Sequence, residues 1–250
     1  MPYFSGSERR EHAIVTGGVR GIGKAISERL MELEYFVHIV YKKNELEASH
    51  ITEQHKGRCL AHRIDGADSA AVAEFVADCC KRYDMTTLVN NIGITRDALV
   101  HDLNWNEFRQ IFDVNVGSVF NFTRAVLPSM QANRYGNIIN ISSVSSRMSR
   151  PGNALYGASK AAIERFSQSV AYEYARYDIA TNIVVPRLVL TDMNRGYIDE
   201  NRSKIINRTP SRQLTTAHEV SDAVAMLLAR KPVLHGAIIH VTGGSHIPTD

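Results

Sequence analysis

The chain has 250 residues, enough to bury a sizeable core in one large α/β domain or two small ones. Charged residues make up 22% and the hydrophobic set 44%, ordinary globular values, and a formal net charge of +3 is too small for a nucleic-acid binder. The three cysteines (Cys59, Cys79, Cys80) carry no disulfide framework, the ten histidines show no zinc-ligand spacing, and no apolar run reaches signal-peptide or membrane-span length. A soluble, cytoplasmic protein without a metal site is expected.

In chain order, "HAIVTGG" is a short apolar run ending in glycines, and "KAISERLMEL" after it has helical spacing: strand, tight turn, helix. The alternation repeats with "FVHIVY", "CLAHRID" before "SAAVAEFVADCCKRY", and "TTLVNNIG" before a long helix spanning Asn104 to Met130. "NIINIS" then precedes a helix holding Tyr156, "TNIVVP" precedes a basic stretch, and "AHEVSDAVAMLLAR" leads into a last strand, "GAIIHVTGG". Seven strands of nearly continuous apolar character, separated by helices, predict one doubly wound domain over residues 1–250, a parallel sheet covered on both faces. Residues 193–212 lack a core pattern and read as a lid over a crevice.

The first strand ends in "TGGVRGIGKA", with Gly17, Gly18, Gly21 and Gly23. Such a turn lets backbone approach a ligand closely, and the helix beginning near Gly21 offers free N–H groups and a positive dipole end to a pyrophosphate. The alternative is a tight turn that serves only helix packing. In dinucleotide folds an acid ending the second strand meets the ribose 2′-hydroxyl of NAD. Here that strand ends Tyr41-Lys42-Lys43, so with Arg20 three cations converge where a 2′-phosphate would sit, and NADP(H) is expected over NAD(H).

Alone, "LYGASKAAI" places Tyr156 and Lys160 on one helix face, as chance does in many helices. Ser143 in "NISSVSS" and Asn115 in "DVNVGSVF" change its weight. With "TGGVRGIG", "NNIG", Asn115, Ser143 and "YGASK" in order, the whole chain resembles the short-chain dehydrogenase/reductase family. The resemblance implies a Rossmann-type fold with strand order 3-2-1-4-5-6-7, a nicotinamide cofactor, a tetrameric assembly, and a catalytic tetrad of Asn115, Ser143, Tyr156 and Lys160. It implies cofactor contacts from Gly17, Val19, Arg20, Gly21, Ile22, Gly23, Tyr41, Lys42, Lys43, Asp65, Gly66, Asn91, Ile92, Gly93, Tyr156, Lys160, Pro186, Val189 and Thr191. The chemistry fits the residue types. Carbonyl reduction needs a proton on oxygen, a phenol is a reluctant donor, and a nearby ammonium lowers its pKa. Ser143 can hydrogen-bond the oxygen as charge develops, and by resemblance Asn115 holds a water that reconnects the lysine to solvent.

Within the family, "NNIGITRD" is similar to reductases of 3-oxoacyl thioesters, carried by acyl carrier protein or by CoA. Arg134 matches an arginine that docks the acidic carrier; the second docking position is Tyr177, with Arg176 beside it. Arg147, Arg150, Arg195, Arg202, Lys204, Arg208 and Arg212 are expected around the entrance, a basic rim that suits an acidic partner or CoA phosphates, or else plain solvated charge. The competing readings are a reductase or dehydrogenase of a free small alcohol, sugar or cyclic ketone, and a non-catalytic cofactor-binding subunit. Three positions depart from the family pattern: Ile92 for alanine, Arg187 for the glycine after Pro186, and Gly66 for an apolar residue. Arg187 is expected to point toward the entrance or a cofactor phosphate, with Thr191 still holding the nicotinamide carboxamide.

Overall fold

A computed structural model of the chain describes residues 11–191, 195–228 and 234–247. Its elements are β1 (His12–Thr16), α1 (Gly21–Glu32), β2 (Phe36–Tyr41), α2 (Glu45–Gln54), β3 (Cys59–Arg63), α3 (Ser69–Arg82) and β4 (Met85–Asn90), followed by α4 (Trp105–Phe112), α5 (Ser118–Asn133), β5 (Gly136–Ile141), α6 (Ala154–Tyr174), β6 (Ile179–Pro186), α7 (Arg195–Asn207), α8 (Ala217–Leu227) and β7 (Ile238–Val241). All seven strands pair in parallel in one sheet of order β3-β2-β1-β4-β5-β6-β7. Strand residues alternate between two apolar layers. Ala13, Val15, Ile39 and Val89 pack with Ile26, Leu30, Val220 and Val224 of α1 and α8; Ile14, Val40, Leu88 and Ile138 pack with Val76, Phe122, Val126 and Val170 of α3, α5 and α6. That two-sided burial is why the strands read as unbroken apolar runs. No helix among the described residues is long and apolar enough to cross a membrane.

Helix starts follow side-chain capping where the sequence supplies it. Asp68 accepts from the N–H groups of Ala70 and Ala71 at α3, and Asn104 with Glu107 and Thr216 with Glu219 form capping boxes at α4 and α8. The long helix expected from Asn104 to Met130 is divided: a π-helical turn, Asp113–Gly117, separates α4 from α5. A hydrophobic pattern at helical spacing runs through such a bulge without marking it. The lid expected at 193–212 is in large part a regular helix, α7; residues 193–194 lie outside the described residues.

The first three strands carry a histidine row, with His38 buried at its centre and His12 and His62 half-buried on either side. His12 Nδ1 lies 3.1 Å from His38 Nε2, and His38 Nδ1 lies 3.2 Å from His62 Nε2. Tyr83 stacks on His12 and Phe75 packs against His62. Burial, then the neighbouring His62 and His12, push the pKa of His38 from 6.5 down to about 3. The unfolded chain therefore takes up a proton near pH 6.5 that the folded chain refuses until about 3. Stability is fully present above that window and falls as pH drops through it, by up to about 1.4 kcal/mol per pH unit for this one group. Urea midpoints measured from pH 7.5 to 5 should decline, and His38→Phe should flatten the decline; parallel pH slopes in the two proteins would show that His38 does not carry it.

Candidate active site

A cleft of about 840 Å³ opens at the carboxyl ends of the strands. Among its lining residues are Gly17, Tyr41, Asn91, Ser143, Tyr156, Lys160 and Pro186, from the ends of β1, β2, β4, β5 and β6 and from α6. The sheet thus brings together, along one edge, residues distant in sequence.

The turn after β1 is shaped for close approach. Gly17 and Gly21 have φ values of 65° and 54°, and a Cβ on Gly23 would stand 2.1 Å from the Gly17 carbonyl oxygen. Asn91 fastens this turn to β4: its Nδ2 donates to the carbonyls of Thr16 and Gly17 at 3.1 and 3.3 Å, and its N–H donates to Thr16 Oγ1 at 2.9 Å. Arg20 precedes α1 without giving it a side-chain cap, in contrast to α3, α4 and α8, so the N–H groups of the first turn stay open at the cleft. An uncapped helix start behind a glycine cradle fits a dinucleotide pyrophosphate. Val19, Ile22, Gly93, Val189 and Thr191 line the same cleft, and Thr191 packs its methyl 3.1 Å from where a Gly21 Cβ would sit.

At the end of β2 one expectation changes. Lys42 and Asp65, assigned separately to a phosphate and to adenine, form an ion pair with Nζ to Oδ2 at 2.5 Å. β2 and β3 are adjacent, so both side chains emerge at one strand end and find each other. Partial burial works to raise the Asp65 pKa, but Lys42 and the Ala67 N–H hold it below the usual value. Arg20 and Lys43 also line the cleft and make no ion pair among the described residues.

The four residues of the expected tetrad converge from three places: Asn115 from the π-helical turn, Ser143 from the turn after β5, and Tyr156 and Lys160 from α6. Asn115 sits in the π-helical turn, fully buried; its Oδ1 accepts from the Ile94 N–H at 2.8 Å, and its Nδ2 donates to the Ile94 carbonyl and to Ser159 Oγ. Ser159 in turn donates to the Tyr156 carbonyl, tying the turn to α6. Ser143 Oγ accepts from the Ser145 N–H, which leaves its own O–H to donate into the cleft. Lys160 is buried, donates to the Ile141 carbonyl at 2.8 Å, and stands 5.7 Å from the centre of the Tyr156 ring. Burial brings its pKa down to about 8, with Glu164 opposing.

The phenol itself behaves differently from expectation: burial raises the Tyr156 pKa, while Ser143 and Arg150 pull it down and Asp97 pushes it up. The ammonium is hydrogen-bonded to the end of β5, and burial is the largest influence on the phenol. Tyr156 is accordingly a protonated phenol at neutral pH. Sequence reasoning missed Glu164, whose carboxylate binds the serine turn after β5; its signal was an acid one helical turn beyond Lys160 within an otherwise apolar stretch.

Arg187 is also placed unexpectedly. It lines the cleft, but its guanidinium Nη1 donates to the hydroxyls of Thr209, at 2.8 Å, and Ser245, bracing the segment after α7 against the chain beyond β7. Burial and the neighbouring Arg208 lower its pKa. Of the basic rim, Arg150, Lys204 and Arg208 line the cleft, Lys204 from α7 with Tyr197 and Asn201, and Arg208 from the turn just past its end. Arg150 pairs with Asp97 at 2.8 Å, Arg147 binds Glu164, and Arg212 donates to the Asn207 carbonyl. Arg195 and Arg202 do not line the cleft. Arg134 and Arg176 meet over Tyr177: Arg134 donates to the Arg176 carbonyl at 2.9 Å, and both guanidinium groups lie over the ring.

The sequence profile described as short chain dehydrogenase matches residues 11–202. The chain belongs to the short chain dehydrogenase family. It is 35% identical over 237 residues to the 3-oxoacyl-acyl-carrier-protein reductase FabG of Salmonella typhimurium, covering 94% of this chain and 97% of the relative. Among solved structures it superimposes on one described as ElxO with NADP bound (TM-score 0.88, 26% identity, 95% of this chain and 98% of the other). It also superimposes on a gluconate 5-dehydrogenase from Burkholderia cenocepacia in complex with NADP and tartrate (TM-score 0.89, 29% identity, 96% of each chain).

Two of this short chain dehydrogenase's departures from the family pattern answer each other. A Cβ on Gly66 would stand 2.8 Å from Ile92 Cδ1, 2.9 Å from Ser118 Cβ and 3.4 Å from Phe122 Cε2. The larger side chain at 92 occupies space that a side chain at 66 would fill. Gly66→Ala should cost about 1–3 kcal/mol in urea unfolding, and the same change in an Ile92→Ala background should cost less, by a coupling of about 1 kcal/mol. Ser118 keeps the recovery partial. Strictly additive costs would mean that the two positions do not share the space.

Proposed function

We propose that the protein is an NADPH-dependent reductase of 3-oxoacyl thioesters, linked to acyl carrier protein or CoA, yielding the 3-hydroxyacyl thioester. The observation that carries this reading is the convergence of Ser143, Tyr156 and Lys160 in one cleft with an uncapped helix start, in a chain 35% identical to a 3-oxoacyl reductase. NADP is named with both solved structures described above, and Arg20 and Lys43 at the cleft rim suit a 2′-phosphate, with Lys42 beside them on Asp65 as a third cation that joins them by leaving that pair. The residues of the glycine turn, with Asn91, Ile92, Thr191 and Lys160, are the ones to hold the cofactor.

When bound, the reduced dinucleotide supplies a hydride to the carbonyl carbon. Tyr156 gives its phenolic proton to the carbonyl oxygen, and Ser143 donates a hydrogen bond to the same oxygen as negative charge develops there. Lys160, with a pKa near 8, is mostly an ammonium at neutral pH and stands next in line to restore the phenol's proton. Asn115 holds the backbone of Ile94 and, through Ser159, the helix that carries both groups. α7 closes the cleft as a lid, and its Lys204, with Arg208 just past its end, meets the anionic part of the substrate carrier. The pair Arg134 and Arg176 is the docking surface for an acidic carrier, and the working assembly is a homotetramer.

A sugar acid is the second reading, favoured by the gluconate 5-dehydrogenase likeness, because Lys204 and Arg208 would equally meet its carboxylate. NADPH oxidation should be seen with acetoacetyl-CoA and an acetoacetyl carrier thioester and not with 5-ketogluconate; the reverse preference overturns the thioester reading, and a preference for NADH overturns the role of the three cations. Tyr156→Phe should lower kcat by about 10²-fold or more while NADPH binding, followed by fluorescence, stays within about twofold. Lys204→Glu with Arg208→Glu should raise KM for acetoacetyl-CoA about tenfold but leave an uncharged acetoacetyl thioester unaffected. Equal effects on both thioesters would remove α7 from carrier recognition.

A further inference from the structure

We infer that Glu164 is a positioning residue for this reaction: its buried carboxylate fastens the turn that carries Ser143 to the helix that carries Tyr156 and Lys160, and stands as the fixed counter-charge of Lys160. The inference rests on the reductase reading given above. Glu164 lies one turn beyond Lys160 on α6 and is 6% exposed. Carboxylates are rarely buried so far without partners, because the desolvation cost exceeds any packing gain.

Its hydrogen-bonding partners among the described residues come from the turn after β5. Ser142 Oγ donates to Oε1 at 2.7 Å, Ser146 Oγ donates to the same oxygen at 2.5 Å, and Arg147 Nε approaches Oε2 at 3.3 Å. Ser142 and Ser146 flank Ser143, and Ser146 Oγ also lies 2.8 Å from the Ser143 carbonyl, so that its one proton is shared between that oxygen and Glu164. One side chain thus grips the serine turn on both sides of Ser143. A helix that merely packed against β5 at this point would be served by leucine, and three hydrogen bonds to a charge are more than packing requires.

The second half of the role is electrostatic. Around Lys160 stand Tyr156 and Glu164 of its own helix, the Ile141 carbonyl of β5, and Asn115 of the π-helical turn, whose Oδ1 and the Lys160 Nζ both approach Gly93. Beyond these are Arg147 on Glu164, the Arg150–Asp97 pair beside Tyr156, and His240 of β7, which also senses Glu164. Burial drives the ammonium toward neutrality, and Glu164 is the charge that opposes it. Without it the lysine would lose its proton at a lower pH still.

The test uses Glu164→Gln, which keeps a hydrogen-bond acceptor and removes the charge. Acetoacetyl-CoA reduction is followed from pH 6 to 10, with Lys160 titrated directly by side-chain 15N NMR in the same proteins. The expected result is an alkaline limb of kcat, and a Lys160 midpoint, displaced about 1 unit to lower pH, with KM and NADPH affinity within about twofold. Superimposable titrations overturn the counter-charge. Absence of thioester turnover in the native protein would sink the reductase reading alone, since the NMR titration still decides Glu164. Ser146→Ala tests the clamp separately, and serves if Glu164→Gln does not fold: kcat should fall about threefold to tenfold with the Lys160 midpoint unmoved, and an unchanged kcat overturns the clamp.

Discussion

A single buried hydrogen bond, from the Lys160 ammonium to the Ile141 carbonyl at 2.8 Å, joins the last residue of β5 to the helix that follows it. An ammonium shut away from water is costly unless it has a strong acceptor and an opposite charge nearby. The fold supplies the acceptor from the sheet and the charge from Glu164, so α6 is tied to β5 at this point. Tyr156, one turn earlier on α6, and Ser143, two residues past Ile141, then have little freedom in where they fall. The proton donor and its neighbours are positioned by satisfying a charge rather than by a loop that must order itself on binding.

The same economy of polar groups runs through the layer beneath. Asn90 donates to Asn140 at 2.8 Å, Asn140 donates to Ser167 of α6 at 2.7 Å, and Asn91 locks the glycine turn to β4. These amides cross from strand to strand inside an apolar sheet, and each partly unsatisfied alternative would cost about 1–3 kcal/mol. A cleft lined this way is pre-formed, which suits a reaction whose charge develops transiently on one oxygen.

The sheet was readable because seven apolar runs buried on both faces need no alternation to be recognised, and their family resemblance supplied the order. The tetrad was readable from spacing plus order along the chain. What the sequence hid were the pairings between cations and their partners. Lys42 reads as a free phosphate ligand until β2 and β3 are seen side by side, where it meets Asp65. Arg187 reads as an intruder at the cofactor until Thr209 and Ser245 are found to hold it. The division of the helix at Asp113–Gly117 was hidden for a different reason: a π-helical turn leaves the apolar periodicity intact while it turns Asn115 inward.

Those hidden pairings bear on why one tetrad serves many substrates. In the function proposed above, Ser143, Tyr156 and Lys160 act on a carbonyl oxygen and its proton, a chemistry that does not depend on what the carbonyl is attached to. Another wall of the cleft is formed by Tyr197, Asn201 and Lys204 of α7 with Arg208 just past its end, and under that proposal it is the wall that meets the rest of the substrate. In this chain that wall is anchored at its far end by Arg187, a residue with no counterpart in the family pattern. A long side chain there removes the backbone freedom a glycine would give and replaces it with two hydrogen bonds across the base of α7. The departure at 187 thus sits at the base of α7, whereas those at 66 and 92 lie against each other, the larger side chain at 92 reaching the space that a side chain at 66 would take.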